Sequence, residues 1–230
     1  MEQAGPRRRP SSGGYSCGDE KRMKIIEVAL RVFGEHGFER ASTRQIARDA
    51  GVNPPALQYY FGGKEGLHVA CAEYIAETLM QALEPSFAAA RAVGPNHSRS
   101  AAVDALCAIM DAEADFLLGS VQIEGWSRFI ARGQSEESYP ARNVIYEKVG
   151  SKLYGNCGRL VGLATGCPPA SQETKLRTIA IIGQLGAFHH GRNNAMAQLG
   201  WPDFHGKRLE RLKSVLREQT RAMLNSLTLV

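Results

Sequence analysis

Ser42-Thr43-Arg44-Gln45-Ile46-Ala47-Arg48-Asp49-Ala50-Gly51-Val52-Asn53-Pro54-Pro55-Ala56-Leu57-Gln58-Tyr59-Tyr60-Phe61 is the stretch from which the fold is read. Ser42 and Thr43 are hydroxyl residues that cap the start of a helix by accepting from its free amides. Ala47 is small where a second helix must cross close above it. Gly51, four residues later, can take the left-handed conformation that a tight turn between helices demands. Pro54 and Pro55 suit the first turn of the following helix, where a missing N–H costs little. Ile46, Ala50, Val52 and Leu57 form the apolar seam between the two helices. Gln58, Tyr59 and Tyr60 are left to face outward. A short helix with an outward polar and aromatic face fits a DNA major groove about 12 Å wide.

Reading on, Gly62-Gly63-Lys64-Glu65 places two glycines before a helix start. Free amides there, with Lys64, form a natural phosphate clamp. It is not a nucleotide-binding P-loop, because Gln58 stands where the first glycine is required and Glu65 replaces the Ser/Thr. Reading back, Ile26, Ala29, Leu30 and Phe33 fall on one face of a helix that starts near Asp19. Gly37, after His36, is expected to end it.

Further along, a long helix is expected from Lys64 to about Ala92, ended or kinked by Pro85. Helical patterns cover about 98–118, 121–132 and 140–165, the last weakened by Gly150, Gly155, Gly158 and Gly162. Two more are expected over about 171–199 and 205–227, separated by Gly200-Trp201-Pro202. The fold class is all-α: a small N-terminal helix-turn-helix domain joined to a larger C-terminal helical bundle. The expected boundaries are 1–18 for a disordered tail rich in Gly, Pro, Ser and Arg, 19–67 for the DNA-binding domain, and 68–230 for the bundle.

The chain's 230 residues carry a formal net charge of +5, with 43% hydrophobic and 22% charged residues. That balance suits a globular protein and tolerates a polyanionic partner without demanding one. The five cysteines include no Cys-x-x-Cys pair, so neither a disulfide framework nor a structural zinc site is expected, and reduced cytoplasmic thiols are the default. No apolar run opens the sequence as a secretory signal would. None reaches the roughly 20 residues that cross a bilayer. No metal or cofactor motif is present. No Ser/His/Asp or Cys/His arrangement at catalytic spacing points to an enzyme.

Over residues 22–68 the sequence resembles the tetracycline-repressor family. The likeness is carried by Phe33-Gly34-Glu35-His36-Gly37-Phe38, Thr43-Arg44-Gln45-Ile46-Ala47, Gly51-Val52 and Tyr60-Phe61-Gly62-Gly63-Lys64-Glu65-Gly66-Leu67. The resemblance implies a three-helix DNA-binding domain on a ligand-binding and dimerisation bundle, in which Thr43 and Lys64 contact phosphate, Arg44 reaches a base edge, and Tyr59 and Tyr60 meet backbone or bases. With Ser42, Asn53 and Gln58 these are the candidate DNA-binding residues. Gln58 stands where the family often has Tyr, and Pro54 and Ala56 remove usual polar contacts, which shifts base reading toward Gln58 and Arg44. More weakly, Arg128-Phe129-Ile130-Ala131-Arg132, Gly183-Gln184 and Leu199-Gly200-Trp201 resemble the YbiH-like (CecR-like) subclass, implying control of transport or drug-tolerance genes, relieved by a small molecule.

The expected partners are double-stranded operator DNA, a small-molecule effector and a second copy of the chain. Phe116, Trp126, Phe129, Tyr146 and His189 are the candidate ligand-binding residues, each open to a plain core reading as well. Ile179, Ile182, Leu185 and Met196, with Leu209, Leu212, Val215, Leu216 and Leu224, are the expected homodimer seam. Arg7-Arg8-Arg9 reads either as a solvated tail or as an arm that follows a DNA groove. His189-His190 point apart on a helix, which argues against a shared metal. Cys107 reads as a redox switch or as a buried thiol. Two functions remain open: a ligand-released repressor, or a DNA-binding dimer whose bundle holds a protein partner or no effector.

Overall fold

The computed structural model describes residues 17–119, 126–130, 132 and 141–226. The expected tail and its three arginines lie outside the described residues, as does much of the expected 121–132 helix. The described chain is helical throughout and has no strand. Its elements are α1 (Cys17–Arg40), α2 (Thr43–Ala50), α3 (Pro54–Phe61), α4 (Lys64–Ala92) and α5 (Arg99–Leu118). Residues 126–130 are also helical. Then follow α6 (Arg142–Ile145), a π-helical segment (Tyr146–Gly150), α7 (Ser151–Thr165), α8 (Gln172–His189), α9 (Arg192–Leu199) and α10 (Lys207–Asn225).

Two apolar cores divide the molecule within α4. The first gathers Ile25, Ile26, Leu30 and Phe33 of α1, Ile46 and Ala47 of α2, Leu57 of α3, and the α4 residues from Leu67 to Ile75. Phe129 and Ala141 join this core from far along the chain. The second starts at Ala76 and holds Leu83, Phe87, Leu106, Leu160, Ile181, Phe204 and Leu216. One rigid helix therefore serves both cores.

The break at Gly37 and the end at Ala92 stand as expected, and one expected helix divides in two. α1 runs on to Arg40, but Gly37 within it has φ 78° and ψ 171°, so the chain bends there and a last turn resumes. α4 continues past Pro85 to Ala92, because Leu83, Phe87 and Ala90 stay buried along one face while Pro85 is exposed. The expected 171–199 helix is broken at His190-Gly191, where a Cβ on residue 191 would lie 2.5 Å from the Ala187 carbonyl oxygen.

α10 packs on α5 of its own chain through an antiparallel ladder of ion pairs. Arg221 meets Asp104 at 2.6 Å, Arg217 meets Asp111 at 2.5 Å, and Lys213 meets Asp115 at 2.8 Å and Glu210 at 2.9 Å. Between them Leu209, Leu212, Leu216 and Leu224 are buried in the second core. This corrects the expected dimer seam. Those four leucines and Leu185 fill their own bundle, since the ladder turns that face of α10 inward. The large aliphatic groups left outside on α8, α9 and α10 are Leu176 (58% exposed), Ile179 (54%), Leu199 (45%) and Val215 (43%).

Candidate nucleic-acid interface and ligand cavity

The helix pair is built as its chemistry requires. The Ser42 hydroxyl accepts from the Gln45 amide at 3.4 Å and caps α2. Gly51 ends α2 at φ 69° and ψ 35°, with its N–H donating to the carbonyls of Ala47 and Arg48. Asn53 then opens α3 ahead of Pro54 and Pro55, without a side-chain cap. Ile46, Ala47, Ala50 and Leu57 are buried, and Val52 is half-buried.

The outward face follows from that packing. Tyr59 is 84% exposed, and its ring lies edge-on to that of half-buried Tyr60 at 5.2 Å. Arg44 is exposed and makes no ion pair among the described residues, Asn53 is exposed, and Thr43 is half-buried at the start of α2. Besides Ser42, two of the eight candidates have side-chain hydrogen-bond partners within the chain. The Gln58 Nε2 donates to the Gly62 carbonyl at 3.2 Å, which holds it across the α3–α4 turn. The Lys64 ammonium donates to the Glu39 carbonyl at 2.9 Å and sits 4.8 Å above the Phe38 ring. It thus ties the end of α1 to the start of α4, leaving its other N–H groups for an anion. Arg48 and Arg31 share the Asp49 carboxylate at 3.3 and 3.2 Å.

In the bundle, α4, α5, Ile130, α6, the π segment, α7 and α8 line a half-open cavity of about 760 Å³. Its described walls are mostly apolar, with Leu79, Leu117, Ile130, Val149, Leu153 and Ile182 among them. The π segment supplies Tyr146, Val149 and Gly150, as such bulges do at many functional sites. At Gly150 a Cβ would lie 2.8 Å from the Tyr146 ring, so a side chain there would displace that ring.

The structure separates the five ligand candidates. Tyr146 and His189 line the cavity; Phe116, Trp126 and Phe129 are not among its described lining residues. Phe116 is buried and Trp126 packs against it and against Tyr74. Phe129 is fully buried in the first core, with centroid distances of 6.3 Å to Phe33 and 4.8 Å to His68. His189 and His190 stand edge to face at 4.6 Å, and burial, with some help from His190 and Arg192, lowers His189 to about 4. No group of three or more metal-ligating side chains occurs among the described residues. Cys107 is buried, and burial raises its thiol pKa, the character of an inert core cysteine.

Sequence reading missed Glu113. It projects from α5 into the cavity wall, is 8% exposed, and has its Oε2 without a hydrogen-bond partner among the described residues. Burial alone pushes its carboxyl up to about 7. The available signal was a single acid at a core-facing position of an otherwise apolar helix face.

Residues on the 126–132 segment join the two sites. Ile130 lines the cavity while its neighbour Phe129 enters the first core. Arg132 donates to the Gly34 carbonyl at 3.0 Å and to the Glu35 carbonyl at 3.1 Å, beside the bend in α1.

A capped and tightly turned helix pair, carried by the same long helix that walls a cavity-bearing bundle, defines a helix-turn-helix transcription regulator. Residues 25–71 match the bacterial regulatory proteins of the tetR family, and residues 87–227 match the C-terminal domain of the HTH-type transcriptional dual regulator CecR. The CecR regulator of Shigella flexneri is 33% identical over 194 residues, 84% of this chain and 86% of that protein. The chain belongs to the tetR family of regulators, in its CecR branch, and is not an enzyme. Among solved structures, a TetR-like regulator from Rhodococcus sp. RHA1 has the same fold, with TM-score 0.64 at 19% identity, covering 88% of this chain and 95% of its own. FadR of Bacillus subtilis in complex with stearoyl-CoA reaches TM-score 0.62 at 17% identity, covering 86% and 96%. No helix among the described residues is long and apolar enough to cross a membrane.

Proposed function

We propose that this regulator binds a near-palindromic operator as a homodimer in the cytoplasm and represses transcription until a small molecule enters the bundle cavity. The observation that carries the reading is the 126–132 segment. Ile130 touches the cavity, Phe129 packs in the DNA-binding core, and Arg132 holds the α1 carbonyls. A ligand that moves Ile130 must therefore move groups anchored in the DNA-reading head. Such a ligand acts only if it binds the operator-free arrangement better, and about 1.4 kcal/mol of coupling lowers operator affinity tenfold. The stearoyl-CoA complex of the FadR neighbour supports a ligand role for bundles of this fold. A two-fold dimer would set its half-sites at about one helical turn of DNA or a multiple of it.

The test is release of labelled operator by a chemically broad compound library. Wild type is compared with Ile182→Trp, which places a bulky ring in the cavity wall. Compounds that release the wild type and fail on the variant support the reading. Release that is unaffected by the variant overturns it.

A further inference from the structure

The effector reading above names a cavity without a ligand class, and the inference here rests on that reading. Among the described lining residues Glu113 is the sole carboxyl group, and neither lysine nor arginine is present. Its Oε2 is buried with no hydrogen bond among the described residues, an arrangement that a folded protein keeps only at a cost. Among the described lining residues the groups that face it are not cations. Tyr154 and Cys157 of α7 have their pKa values raised by burial first and by the nearby Glu113 charge second. Tyr146 comes from the π segment, and α8 contributes His189 and His190, which burial keeps neutral. α4 contributes Leu79.

We propose that the cavity binds an amphipathic cation, whose ammonium group pairs with the Glu113 carboxylate and whose apolar body lies against Tyr146, Tyr154 and Leu153. An ammonium supplies the missing charge partner, and tyrosine faces attract cations as well as apolar surface. The rest of the described wall is mostly aliphatic and suits an aromatic or alkyl body. An acyl-CoA carries several negative charges and would meet an acid with no cation beside it. In the empty cavity burial holds the Glu113 carboxyl near 7, so an arriving cation displaces a proton. Affinity for a permanent cation therefore rises with pH through that value.

Three probes of one shape test this: 4-phenylbutyl-trimethylammonium, its uncharged isostere with carbon in place of nitrogen, and 5-phenylvalerate. Binding is measured by calorimetry on the full chain, as wild type, Glu113→Gln and Ile182→Trp. At about pH 8 the cation should bind wild type roughly tenfold or more tighter than the isostere, with the anion weakest. Its advantage should shrink about tenfold on going to about pH 6 and be absent at both pH values in Glu113→Gln. The wild-type pH profile needs no variant to fold. Equal binding of cation and isostere overturns the ligand class while leaving an effector cavity standing. Cation preference that survives in Ile182→Trp places the binding elsewhere and overturns it too. Failure of all three probes to bind overturns both the class and the cavity reading.

Discussion

The ring of Phe129 lies 4.8 Å from that of His68, centroid to centroid, inside the first core. The two are sixty-one positions apart, and they join the cavity-bearing half of the chain to the helix that follows the DNA-reading pair. Phe33 and Phe38 close the same cluster, with centroids 4.8 and 5.0 Å from His68.

Loss of this joint should separate ligand binding from operator release. Arg132→Ala removes the donors to Gly34 and Glu35 and leaves the cavity lining in place. Ligand affinity should change little, while the effect of ligand on operator affinity should fall by about 0.5–2 kcal/mol. Operator titrations with and without ligand read this directly. Full release by the variant would show that the segment transmits nothing. Phe129→Ala should instead destabilise the fold, by about 3–5 kcal/mol, because a fully buried ring is lost.

His68 makes stability depend on pH with a defined sign. Burial, aided by the Lys64 charge, lowers its pKa from 6.5 to about 4. Between these values the unfolded chain binds the proton and the folded chain does not. Stability is therefore fully present above about 6.5 and declines as pH falls toward 4, with a slope of up to about 1.4 kcal/mol per pH unit for one proton. His189, also lowered to about 4, acts in the same sense. Thermal unfolding of His68→Leu should lose less between pH 7 and 5 than wild type. Parallel curves would remove His68 from the account.

The DNA face should divide into base readers and anchors. Arg44→Ala should cost about 1–3 kcal/mol and relax preference at one base pair in each half-site. Lys64→Ala should weaken binding to all sequences alike, and should also lower the melting temperature, because Lys64 anchors the end of α1 through Glu39. Footprints and salt titrations on both variants check this. Unchanged specificity in Arg44→Ala would exclude it as a reader.

Dimerisation should respond to the exposed apolar residues and not to the buried ones. Ile179→Glu should give a folded monomer by light scattering at micromolar concentration, since Ile179 is 54% exposed on the single chain. Leu212→Glu, at 5% exposure beside the α5–α10 ladder, should fail to fold. A dimer that survives Ile179→Glu and Leu176→Glu together would move the interface elsewhere.

Residues 42–61 were legible because their signals are local. The Ser42 cap, the Gly51 turn and the Pro54 helix start each depend on neighbours within four positions, and each took the form its chemistry required. The ligand candidates were less legible. Phe116, Trp126, Phe129, Tyr146 and His189 are all large groups at helical spacing, and nothing local distinguishes a cavity wall from a core. Tyr146 and His189 came to the cavity and the other three did not.

From its sequence alone this chain was bound to be helical, with a capped, tightly turned helix pair near its N-terminus, because helix periodicity, caps and left-handed glycines act over a few residues. Only the tertiary structure decided which face of α10 is inside. The leucines of α10 fit a dimer seam as well as a core until Lys213, Arg217 and Arg221 find Asp115, Asp111 and Asp104 on α5. It likewise decided that Glu113 lies in a cavity with no partner among the described residues for its Oε2, and that Phe129 belongs to the DNA-binding core. Those facts depend on which side chains meet across distant segments. An amphipathic pattern says that a face is buried, and packing alone says against what.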